Sequence, residues 1–266
     1  MLRSRARAAL LGALTLLLVS AFASATAQAA AGPFAYHRAI GEKSAGVKIS
    51  EKSPEPFQGE GGEQRAASKI SGTEVEGVAK SVQIKGIIYN NSLQGQLKMD
   101  LKFHEVELTK PKLPGCVVKF GKNNETSVVG HLAWKWNGTA KQLEEPTQTS
   151  QGPAGVGLGS ELAEGATTLP SAEFTTIAFS GAACGVLIGK YTAKGSETIK
   201  TKPAALGEWG KSIAITLDEN KEQIHFWNGK TFIGAETALL LGTEPAKVSG
   251  ESKAEISGQE IAVFEN

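Results

Sequence analysis

Arginine and aspartate are scarce in this 266-residue chain: Arg3, Arg5, Arg7, Arg38 and Arg65 are the only arginines, and Asp100 and Asp218 the only aspartates. Phosphate is bound most effectively by clustered guanidinium forks, so a chain with so few arginines lacks the footprint of a nucleic-acid partner. Calcium loops built on aspartate and asparagine are missing for the same compositional reason. Only four histidines occur, His37, His104, His131 and His225, and they are too dispersed for a histidine-based metal motif. A solvated position on a strand is the expectation for each except His37. No G-x-S-x-G elbow is present. Gly155-Val156-Gly157-Leu158-Gly159 breaks the spacing of a dinucleotide loop and reads as flexible linker. No cofactor is expected, and no catalytic or metal-binding residue is nominated.

Long apolar runs are confined to the start of the chain. Three arginines within seven residues precede the largely apolar stretch Ala8 to Ala23, and small residues follow to Ala31. This is the layout of a secretory signal peptide, with Ala27-Gln28-Ala29 as the expected cleavage triplet, so residues 1–29 are assigned to it. Its loss turns the formal net charge of +1 mildly negative. No later segment reaches spanning length, and Ala238 to Leu241 reads as a buried strand. A secreted chain, extracellular or at the cell surface, is the expectation.

Cysteine is limited to Cys116 and Cys184. In an oxidising compartment the pair is expected to bridge, and closing so long a segment stabilises by about 4 kcal/mol on the loop-entropy argument. Residues 30–68 are polar and rich in Gly, Pro, Glu and Lys, which predicts a flexible leader. The β domain is expected over 69–266, with a Gly-rich connection at 146–172.

What remains is alternation. From Leu97 to His104 every odd position is apolar and every even one polar, which on a strand places four hydrophobes on one face. The phase then flips at Val106 and Leu108, predicting a β-bulge near His104 and Glu105. Asn137-Gly138 and Asn228-Gly229, each between strand-forming residues, predict hairpins, and a third turn is expected at Asn90-Asn91. Further strands are expected at 82–84, 116–120, 128–136, 174–179, 186–191, 213–217 and 248–256. No sustained helical stripe exists to carry parallel crossovers, so the expected fold is all-β, an antiparallel β-sandwich or jelly-roll-like barrel.

One aromatic group is a candidate ligand platform. Leu132, Trp134 and Trp136 share a strand face, either as the inward side of a sandwich or as indoles that stack on sugar rings. Trp227, out of phase with Ile224 and Phe226, completes the platform.

Leu113-Pro114-Gly115-Cys116-Val117-Val118, Ser180-Gly181-Ala182-Ala183-Cys184 followed by Gly189-Lys190-Tyr191, and Lys247-Val248-Ser249-Gly250-Glu251 resemble segments of uncharacterised secreted β-rich proteins of high-GC soil actinobacteria. The likeness spans the C-terminal two thirds. It implies export and β structure, and it carries no activity. The sequence therefore reads as a secreted noncatalytic extracellular or cell-envelope binding or structural protein, with extracellular or envelope polysaccharide as the candidate partner. The alternative is a secreted carbohydrate-active hydrolase using two of the 25 glutamates, two carboxylates being the usual requirement for glycoside cleavage.

Overall fold

Alternation of buried and exposed residues organises the longest strands of the computed structural model, which describes residues 33–38, 46–92, 95–135, 153–158, 172–195, 197–202, 209–217, 223–227, 232–236 and 238–265. In chain order the strands are β1 (Pro33–Arg38), β2 (Gly46–Lys48), β3 (Glu55–Ile70), β4 (Thr73–Asn90), β5 (Gly95–Lys110), β6 (Val117–Phe120), β7 (Glu125–Lys135), β8 (Pro153–Leu158) and β9 (Ala172–Ser180). Then come β10 (Gly189–Gly195), β11 (Glu197–Lys202), β12 (Ser212–Leu217), β13 (Gln223–Trp227), β14 (Phe232–Glu236), β15 (Leu239–Leu241), β16 (Glu244–Pro245), β17 (Lys247–Ile256) and β18 (Ile261–Glu265). All paired strands run antiparallel. The chain is all-β, with antiparallel sheets packed together as in a sandwich.

The largest sheet runs β14-β13-β7-β5-β4-β3-β17-β12-β11-β8, and β8 also pairs with β7. A five-stranded sheet, β16-β15-β10-β9-β6, packs over one part of its inner face, and a three-stranded sheet, β18-β1-β2, lies at the other. Two apolar clusters follow from this division. The first gathers Phe57, Val82, Ile84, Ile88, Leu97 and Met99 with Ala35 and Ile261. The second gathers Val75, Ala79 and Leu108 with Val118, Phe120, Ile177 and Phe179.

Several expectations are corrected. Residues 46–68 are not flexible leader: β2 and β3 lie there, and Phe57 and Ile49 are 2% and 0% exposed. Two of the glycines responsible for that reading are packing positions, because a Cβ on Gly59 would stand 2.0 Å from the Lys253 carbonyl oxygen and one on Gly61 2.1 Å from Ser252 Oγ. Pro153–Leu158 is a strand rather than linker. Val186, expected to start a strand, belongs to the 3-10 turn Ala182–Leu187, where Gly181 and Gly185 take φ of 100° and 55°. The turn at Asn90-Asn91 joins β4 to β5, with Asn90 opposite Gly95. β13 and β14 form an antiparallel hairpin around Asn228-Gly229, which lies outside the described residues, as do Asn137-Gly138 and the predicted signal peptide.

The expected bulge in β5 takes a different form. Ala79 faces Val106 and Ser81 faces His104, so β4 and β5 keep register across the flip, while Glu105 adopts a φ of 49°. Both strands change phase together. On β4 residues 75, 77 and 79 are buried before the break and 82 and 84 after it, Val78 being buried as well; β3 changes between Gly61 and Gln64, and against β17 the register slips between Gly250 and Ser252. In an uninterrupted strand residues three apart face opposite ways. The aligned breaks keep both halves of each strand on one interior side, where Val75, Val82 and Ile84 border the same cavity.

Candidate functional site

That cavity lies between the large sheet and the five-stranded one and measures about 150 Å³. β4 and β5 contribute Val82, Ile84, Met99 and Phe103, and the facing sheet contributes Phe120 and Phe179. Carbon makes up nearly all of the wall. Phe103 packs against both apolar clusters and meets Phe120 edge to face, so aromatic ring edges form the join between the sheets.

Polar side chains are a minority of the lining, with Gln64, Ser68, Ser252, Thr126 and Thr175 among them. Thr126 on β7 donates its hydroxyl to the Phe174 carbonyl oxygen at 2.6 Å. Thr175, the next residue on β9, also lines the cavity, and its Oγ1 is buried with no hydrogen-bond partner. The register between β9 and β10 slips here, Thr175 facing Ala193 while Glu173 faces Lys194, and the irregularity lets Phe174 and Thr175 both reach the interior.

Two cationic residues, Arg65 and Lys247, border the cavity. Arg65 borders the cavity from the exposed side, and its guanidinium is held by Glu63 and by Glu76, the latter at 3.1 Å. Glu76 also accepts from Thr109 Oγ1 at 2.7 Å and lies 3.4 Å from Lys110 Nζ. These contacts, the Thr109 hydrogen bond foremost, hold the Glu76 carboxyl below the ordinary carboxylate range against the opposing effect of burial. At the phase break Lys80 Nζ and Glu105 Oε2 pair at 2.6 Å in full solvent, an arrangement of small energetic weight.

No carboxylate lines the cavity. Glu55 is the one buried carboxylate among the described residues, and it faces the imidazole Nδ1 of His37 at 3.3 Å. His37 is therefore a half-buried partner of β3. His104, expected to be solvated, has a buried Nε2 without a hydrogen-bond partner. Among the described residues no three His, Cys, Asp or Glu side chains gather as a metal ion would require, and no helix is long and apolar enough to cross a membrane.

Cys116 and Cys184 are bonded, their Cα atoms 4.7 Å apart, and the bridge fastens the start of β6 to the 3-10 turn. The backbone of Trp134 in β7 stands opposite both His225 and Pro153, and Trp227 ends β13 opposite Phe232. The side chains of Trp134 and Trp227, and all of Trp136, lie outside the described residues. Sequence reasoning missed Phe103, Phe120, Thr126 and Thr175 as a group. The available signal was the phase flip at His104, which marks where one interior face passes between two clusters.

No family model matches the chain, and no curated protein or solved structure matches it.

Proposed function

We propose that this is a secreted, noncatalytic binding protein that takes a small apolar molecule into the cavity between its two larger sheets. The observation that carries the reading is the cavity itself: about 150 Å³ of space walled by Phe, Ile, Val and Met side chains. Close packing is the rule in protein interiors, and an apolar pocket of this size, partly open to solvent, leaves carbon surface that an occupant would bury and contact. A volume of that order is enough for a ligand the size of benzene. A two-glutamate hydrolase has less support, since the cavity wall offers neither a general acid nor a nucleophile.

The test is a titration of the purified protein with toluene, followed by calorimetry and by thermal unfolding. Binding to the folded state alone raises the midpoint, by an amount equivalent to about 2.7 kcal/mol at a hundredfold excess over Kd. An unmoved midpoint and no heat of binding up to the solubility of toluene overturn the proposal. Incubation with insoluble cell-wall polysaccharide addresses the envelope partner in parallel: retention without release of reducing ends is expected if the tryptophan platform operates, and sugar release abolished by one Glu→Gln change would establish the hydrolase instead.

A further inference from the structure

The wall of the cavity is largely apolar, and among the polar side chains that line it one buried atom lacks a hydrogen-bond partner, which specifies more about the occupant than the volume does. Thr175 Oγ1 is buried, borders the cavity and has no hydrogen-bond partner. A buried hydroxyl left unpaired is costly, so native structures seldom keep one without a function. Its neighbour in the wall, Thr126, has already committed its proton to the Phe174 carbonyl oxygen, although its own oxygen can still accept. The pair therefore offers one unused donor, on Thr175, and acceptor capacity on both hydroxyl oxygens. A hydroxyl group, which both accepts and donates, complements that pair.

We propose that the cavity binds a compact, neutral, monohydroxylated aromatic molecule of the phenol class, whose oxygen accepts a hydrogen bond from Thr175. The inference rests on the proposed binding function and deepens it. Volume sets the size, since about 150 Å³ accommodates a single six-membered ring. Phe103, Phe120, Phe179 and Met99 line the cavity, and aromatic and thioether side chains favour an aromatic occupant. Neutrality follows from the wall, where an ionised group would lose its hydration without gaining a counter-ion. Neither bordering cation is free to supply one: Arg65 is engaged by Glu63 and Glu76, and Lys247 also has a partner.

Calorimetric titration of phenol and toluene, near-equal in size and differing in the hydroxyl, tests the assignment in the wild-type chain and in Thr175→Val and Thr175→Ser. Thr175→Val keeps the shape and removes the donor. It should weaken phenol about tenfold while leaving toluene within about twofold, and Thr175→Ser should retain phenol binding close to wild type. If phenol and toluene both bind but Thr175→Val leaves the phenol affinity unchanged, the role of Thr175 is refuted and the apolar binding site stands. If neither compound binds the wild-type protein, the binding function fails and this inference with it. Should Thr175→Val lose both ligands through misfolding, Thr175→Ala decides: phenol weakened about tenfold with toluene retained supports the assignment, and phenol bound as in wild type overturns it.

Discussion

Phe103 of β5 and Phe120 of β6 meet edge to face, with ring centroids 5.3 Å apart and planes at 90°, and the contact joins the large sheet to the five-stranded sheet beside the cavity. Such geometry places the positive edge of one ring against the negative face of the other. Gly77 on β4 makes room for the arrangement: a Cβ there would stand 2.9 Å from Phe120 Cζ.

Gly77→Ala is therefore a plug. The added methyl must push the Phe120 ring, which borders the cavity, and the space available for a ligand shrinks. Toluene affinity should fall several-fold, with a stability change of about 1–2 kcal/mol from the strain of overpacking. Phe120→Ala acts the other way, enlarging the cavity at a cost of about 3–5 kcal/mol. Calorimetry and urea unfolding read both effects, and an unaltered toluene affinity in Gly77→Ala would show that the ring does not border the binding space.

Asn90 shows how a turn residue becomes an anchor. Its amide accepts from Ala35 N–H at 2.8 Å and donates to the Ala35 and Ile49 carbonyl oxygens at 2.7 Å each, all in the buried interior. Asn90→Asp replaces the two donors with a carboxylate oxygen facing two carbonyls. Near neutral pH the variant should lose about 3 kcal/mol or more in urea unfolding, and the deficit should shrink toward acid pH as protonation restores a donor. An equal deficit at pH 7 and at acid pH would show that packing, not the hydrogen bonds, fixes the site.

The turn at Asn90 was legible from the sequence because turn chemistry is local. The anchor was not, since its partners lie 41 and 55 residues away. The same division holds elsewhere. Leu97 to Phe103 alternates strictly, and its strand follows from that pattern alone. β3 was hidden because averaged composition reads Gly59, Gly61 and the interleaved glutamates as solvated chain, although those glycines accommodate the close approach of β17. The cavity is the least local feature of all. It requires phase breaks on three neighbouring strands to line up, and only the break in β5 leaves a mark in one continuous stretch of residues.

The Cys116–Cys184 bridge spans 68 residues and fastens β6 to the 3-10 turn behind the second apolar cluster. Loop-closure entropy assigns it about 4 kcal/mol, equivalent to a fall of about 10 °C in Tm for a domain of this size. Thermal unfolding with and without reductant, checked against a Cys116→Ala, Cys184→Ala double variant, measures this. A shift below about 2 °C in both experiments would mean that the packing of Leu187, Phe179 and Tyr191 holds the turn without the bond.

Glu76 gives the rim a defined response to pH. Its folded carboxyl is held below the ordinary value by the Thr109 hydrogen bond first and by Lys110 and Arg65 after it, with burial opposing. A group whose pKa is depressed on folding stabilises the folded state when ionised. The contribution is therefore complete above the unfolded carboxyl value of about 4.3 and is lost as the pH falls through the lower folded value. Glu76→Gln keeps the shape and removes the charge, so at pH 7 it should unfold about 1 kcal/mol more easily than the wild type. Below the carboxyl range the two proteins should converge, because the wild-type Glu76 is then neutral as well. Arg65 loses one of its two carboxylate partners in the variant, and β3 and β4 lose the outer clamp that joins them beside the cavity. Hydrogen exchange localised to Arg65–Ser68 should accordingly speed up at pH 7 and match the wild type in acid. A stability difference that persists unchanged at low pH would assign the effect to packing around Thr109 instead of to the charge.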